Sequence, residues 1–108
     1  MKAWDAANPT PLTNPKTVAD HIDHLKRSIG VDHIGLGGDY DGMDSGPQHM
    51  EDVRGYPALF AELARRGYTP EKLRKISSGN MLRVLKAVEA TSAAQKGQAA
   101  VETPAVLR

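Results

Sequence analysis

Apolar residues recur along this chain in short stripes that a helix explains. Val18, Ile22, Leu25 and Ile29 stand at helical spacing, which gathers them on one face. Asn14 followed by Pro15 supplies a cap and a first-turn proline, and Lys26, Arg27 and Gly30 suit the far end. The pattern predicts a helix over 15–29. Leu59, Phe60 and Leu63 predict the buried face of a second helix, entered through Gly55-Tyr56-Pro57 and ended by Arg65, Arg66 and Gly67. Thr69-Pro70 caps a short third helix around Leu73 and Ile76. Ser77-Ser78-Gly79-Asn80 reads as an interruption, with Ser78 or Asn80 capping a fourth helix. Its stripe is Met81, Val84, Leu85 and Val88, and it is expected to end near Ala90.

Between the first two helices the pattern changes. Val31 to Gly42, VDHIGLGGDYDG, starts apolar, turns glycine-rich and ends in two carboxylates, Asp39 and Asp41. It predicts a short buried strand over 33–38, where Gly37 and Gly38 allow close backbone approach. A strand that empties into the polar loop Tyr40 to Asp52 has the form of an active-site edge in an α/β protein, where ligands sit beyond the strand ends. Met1 to Thr13 is broken by Asn8, Pro9 and Pro11 and is expected to be a loop pinned by Trp4. From Thr91 the stripes stop, so residues 1–90 form the structured part and 91–108 a disordered tail.

Composition narrows the function classes. The chain has 108 residues and a formal net charge of +1, which gives no argument for nucleic acid or an anionic membrane. No apolar run approaches the roughly 20 residues of a membrane span. Cysteine is absent, which excludes thiolate metal sites and is compatible with the expected cytoplasmic location.

Asp39 is the leading functional candidate. A carboxylate at a strand end can orient water, accept a proton or hold an ammonium group, and it can equally cap a turn. Asp41 precedes Gly42 and reads as a turn residue. A calcium loop begun at Asp39 would need glycine where Asp44 stands and glutamate where Met50 stands. His21 and His24 share a helical face without further ligands beside them, so they read as a polar flank. His33 and His49 read as fold and loop residues.

The succession VADHIDHLKRSIG, HIGLGGDYDG and EDVRGYPALFAELARRGYTPEKLRKISSGNMLRVLKAVE, over about Pro15 to Glu89, resembles the carboxy-terminal end of the membrane dipeptidase family of zinc peptidases. The resemblance implies an amidohydrolase-like (β/α)8 barrel, of which this chain would hold the last strand and about four helices. It implies two zinc ions in the complete enzyme, dipeptide substrates and metal-assisted hydrolysis. Asp39 would contact the substrate near its free amino group and the metal-bound water, in a catalytic and substrate-binding role. The family's metal ligands are a His-x-Asp on the first strand, a bridging glutamate and two later histidines, and these are not matched here. His21-Ile22-Asp23 fits the first by its letters but falls inside a predicted helix. A complete barrel needs about 200 residues or more. The chain is therefore expected to be one part of a split or truncated enzyme, holding no zinc and inactive alone, that pairs with an upstream barrel portion or self-associates. The alternative is a non-catalytic helical interaction domain.

Overall fold

The computed structural model describes residues 2–9 and 11–99, and these are mostly helical. Helix α1 spans Lys2–Ala7, α2 Pro15–Ile29, α3 Tyr56–Arg65, α4 Pro70–Arg74 and α5 Asn80–Ala94. Short 3-10 turns, Val31–His33 and Val53–Gly55, precede the glycine-rich segment and α3.

Helix α2 matches its predicted bounds because both ends are chemically fixed. Asn14 Oδ1 accepts from the backbone of Lys16 at 2.9 Å and of Thr17 at 3.3 Å, and Thr17 Oγ1 accepts from the Asn14 N–H at 3.4 Å. At the other end Gly30 takes φ 83°, which a side chain would resist. Gly67 ends α3 with φ 87° in the same way. Ala19 and Ile22 from α2 meet Leu59 and Leu63 from α3, and Ile34, Met50, Tyr68 and Ile76 complete one buried cluster.

The predicted strand over 33–38 does not form: no strand occurs among the described residues. His33 closes the 3-10 turn, and the chain then runs extended from Ile34, at φ −107° and ψ 134°. A strand needs a ladder, and none of the described residues lies alongside to offer one. Ile34 itself is buried in the core, as the pattern predicts, while Gly35, Gly37 and Asp39 stay exposed.

Three further expectations are corrected. The N-terminal stretch contains helix α1 rather than only loop, and Trp4 is 68% exposed instead of anchoring it. Ser77 to Asn80 does not interrupt the chain. A π-turn over Lys75–Gly79 runs straight into α5, with the Asn80 N–H bonded to the Lys75 carbonyl. Helix α5 continues through Thr91 to Ala94, because Ala90, Ala93 and Ala94 favour helix without any apolar stripe. The tail expected from 91 is thus helical at its start, and residues 100–108 lie outside the described residues.

Candidate functional site

The extended segment delivers Asp39 to a turn. The Gly42 N–H donates to the Asp39 carbonyl at 2.9 Å, closing the turn Asp39-Tyr40-Asp41-Gly42. Asp39 holds φ 46°, a left-handed conformation that aspartate tolerates better than most residues. Its carboxylate folds over Gly42, where a Cβ would come within 2.5 Å of Oδ1. A side chain at Gly38 would overlap the Tyr40 ring, which lies back along the segment and meets Tyr56 edge-on at 6.1 Å. A side chain at Gly38 or Gly42 would therefore have to displace the Tyr40 ring or the Asp39 carboxylate.

Val18, Leu36, Gly37, Gly38, Asp39, Tyr40, Met43, Pro47, Met50, Tyr56 and Leu59 enclose a cleft of about 250 Å³. Asp39 is the one acidic residue in this otherwise apolar and aromatic lining. Its carboxylate accepts no hydrogen bond from the described residues, so its lone pairs are open to an ammonium or a water. Gly55 packs tightly on Met50, a lining residue: a Cβ there would stand 2.5 Å from the Met50 Cα. Asp52 caps the turn before α3 by accepting the Arg54 N–H at 2.8 Å, and it also pairs with the Arg54 guanidinium. A larger depression of about 780 Å³ runs along Arg83, Val84, Ala87, Val88 and Thr91. One helix and its exit form all of its walls, so it is an uncovered helix face and not an enclosed site.

The other candidate groups are dispersed. His21, His24, His33 and His49 are all exposed, and His49 takes φ 64° with its N–H donating to Glu51 at 2.8 Å. Asp41 lies exposed in the turn. Asp23 is engaged elsewhere, accepting Arg66 Nη1 at 2.8 Å and the Tyr68 hydroxyl at 2.7 Å. These two bonds, Arg66 first, hold its carboxyl below the ordinary range. Among the described residues no group of three or more His, Cys, Asp or Glu could hold a metal ion. The residues present thus do not fit a zinc centre.

Sequence reasoning missed two residues. Asn80, read as a helix cap, is 4% exposed and turns its amide onto the glycine-rich segment. Nδ2 donates to the carbonyls of Val31 and Ile34, each at 2.8 Å, and Oδ1 accepts Arg83 Nη1 at 2.9 Å. Arg83 Nη2 reaches the Asp32 carbonyl at 2.6 Å. Their three-residue spacing on one helix was the available signal, because it puts both side chains on one face.

Comparison with known sequences gives a consistent picture. The pattern of the membrane dipeptidase family, Peptidase family M19, matches residues 7–99. Dipeptidase 3 of Rattus norvegicus is 47% identical over 91 residues, which is 84% of this chain and 19% of the relative. Dipeptidase 3 of Homo sapiens is 45% identical over the same shares. Dipeptidase tcpJ of Claviceps purpurea is 46% identical over 82 residues, 76% of this chain and 19% of the relative. The chain thus spans about a fifth of the length of the curated relatives it matches.

Proposed function

The chain belongs to the membrane dipeptidase family, and from that membership we propose that it is the carboxy-terminal portion of a zinc-dependent enzyme that hydrolyses dipeptides. In this reading Ile34 to Gly38 is the last strand of an amidohydrolase-like (β/α)8 barrel. The strands beside it, and the zinc ligands, lie on the rest of that protein. Family resemblance supports the zinc. The described residues do not supply its ligands.

What this chain contributes is Asp39. The observation carrying the proposal is a carboxylate without a hydrogen-bond donor among the described residues, on a left-handed turn residue that lines a cleft of about 250 Å³. A dipeptide carries its free ammonium on the carbon next to the scissile carbonyl, and an acceptor for that ammonium can fix this end of the substrate. Zinc would polarise the scissile carbonyl and activate water in the complete enzyme. The chain alone would therefore be inactive.

Dipeptide hydrolysis with added zinc tests the reading, first with this chain and then with the upstream barrel portion supplied in trans. The expected result is no turnover alone and turnover on reconstitution. Asp39→Asn then lowers kcat/KM by about a hundredfold, the range of a lost charge-assisted hydrogen bond to bound substrate. Unchanged activity in Asp39→Asn would remove the substrate-site role. Absence of turnover in the reconstituted pair would favour the alternative, a helical domain that binds a partner through α5.

A further inference from the structure

We propose that Asn80, braced by Arg83, is a positioning residue that sets where Asp39 stands. The inference rests on the reading of Asp39 as the acceptor for the substrate's amino group. It comes from a count of what holds the segment that carries Asp39. Ile34 to Gly38 has no ladder, and its backbone makes no hydrogen bond to the backbone of other described residues. The hydrogen bond this stretch does receive comes from Asn80 Nδ2, onto the Ile34 carbonyl. The same amide group donates to Val31, so one side chain grips both sides of the 3-10 turn that starts the segment.

Asn80 is itself held. Arg83 donates to its Oδ1 and to the Asp32 carbonyl, which leaves the amide one orientation in which both N–H groups face carbonyls. Lys75 Nζ binds Asp32 Oδ1 at 2.8 Å, and that bond lowers the pKa of the Asp32 carboxyl. The π-turn adds its part, since bonding the Asn80 N–H five residues back fixes where this first turn of α5 meets the segment. Met81 follows directly, 3.5 Å from where a Gly35 Cβ would stand. The near end of the segment is therefore fixed by α5, and the far end by Tyr40 lying over Gly38. Leucine at position 80 would keep the volume and lose both donors. Aspartate would turn a carboxylate onto two carbonyl oxygens.

The test uses backbone 15N relaxation of the full 108-residue chain. In the native chain Gly35 to Asp39 should show order parameters near the rigid value of about 0.85. Asn80→Leu should drop them below about 0.6 while α2 and α3 stay unchanged. Arg83→Gln, which spares the Asn80 donors and is the milder change for folding, should give an intermediate drop confined to the same residues. In the reconstituted enzyme Asn80→Leu should raise KM about tenfold with kcat within twofold, the signature of lost ground-state binding. Loss of folded protein would instead lower apparent kcat at constant KM. Order parameters that stay rigid in both variants, or fall equally in α2 and α3, overturn the proposal. Loosening of the segment without any KM change, while Asp39→Asn abolishes activity, also overturns it. If Asp39→Asn is fully active, the reading of Asp39 fails instead, and the relaxation data still decide whether Asn80 holds the segment.

Discussion

Helices α2 and α3 on one side and α5 on the other each carry an apolar stripe in the sequence, and the structure treats them in opposite ways. Leu59, Leu63 and Ala19 are fully buried, and Ile22 is 2% exposed. Across the same pair Arg66 joins three carboxylates, reaching Asp20 at 2.6 Å, Asp23 at 2.8 Å and Glu62 at 2.8 Å. Lys26 lies over the Tyr68 ring at 4.2 Å, and the Tyr68 hydroxyl, raised in pKa by burial and by the Asp23 carboxylate, stays protonated as a donor. On α5, Met81, Leu82, Val84, Leu85 and Val88 are each more than half exposed. Among the described residues its first turn engages the rest, through Asn80, Met81 and Arg83. The radius of gyration of 19.4 Å says the same of the whole, since a compact chain of this length would have about 13 Å. A stripe states which face wants burial and carries no information on whether a facing surface is present.

The sharpest way to break this comparison is to truncate one leucine on each side. Leu63→Ala leaves a cavity among Leu59, Ile22 and Ile76 and should lower unfolding free energy by about 2–5 kcal/mol. Leu85→Ala removes atoms that are already in water and should stay within about 0.5 kcal/mol. Thermal denaturation followed by far-UV circular dichroism checks both. Equal effects from the two would show that α5 packs onto the core in solution.

The next effect is electrostatic and belongs to the first region alone. Arg65 and Arg66 hold the Glu62 carboxyl down from its ordinary 4.5 to about 2. A carboxyl whose folded pKa is depressed contributes stability that is fully present above the unfolded value and is lost as pH falls toward the folded one. The melting temperature should therefore fall between about pH 4.5 and pH 2, and Asp23, lowered in the same direction, should add to the drop. Glu62→Gln should melt lower than the native chain at pH 7 and flatten the profile through that window. A native profile already flat there would mean that the Arg66 network does not form in solution.

Where the sequence was legible, the cause was local. Asn14-Pro15, Gly30, Gly67 and Thr69-Pro70 fix helix ends through their own backbone groups, and the helices begin or end where these residues stand. The glycines beside Asp39 were legible for the same reason, since a turn that folds a side chain back over the chain needs room there. The strand was not, because strand formation depends on a neighbour and Ile34 to Gly38 has none among the described residues. Ile34 keeps extended dihedrals, and the stretch lacks the ladder. Asn80 was misread because a short polar residue after Gly79 has the letters of a cap, while its real partners, Val31 and Ile34, are 49 and 46 residues away. Trp4 was misread by a composition argument: a lone large aromatic suggests an anchor, yet Trp4 stands 68% exposed.

The smallest effect on stability is also the most direct probe of what α5 is for. Replacing Leu85 and Val88 together by glutamate puts two charges on a face that makes few contacts, so melting should move by no more than about 1 kcal/mol in total. Association should respond far more. An exposed stripe of Met81, Val84, Leu85 and Val88 beside an unpaired extended segment is a surface on which copies of the chain can meet, and two carboxylates there would repel. Sedimentation at micromolar concentration should give masses above 11.7 kDa for the native chain and a value near it for the double variant. The same variant should also fail to join the upstream barrel portion, since one face would serve both contacts. Loss of self-association with full retention of reconstituted activity would separate them, and would leave the segment before Asp39, not α5, as the seam for the proposed barrel portion.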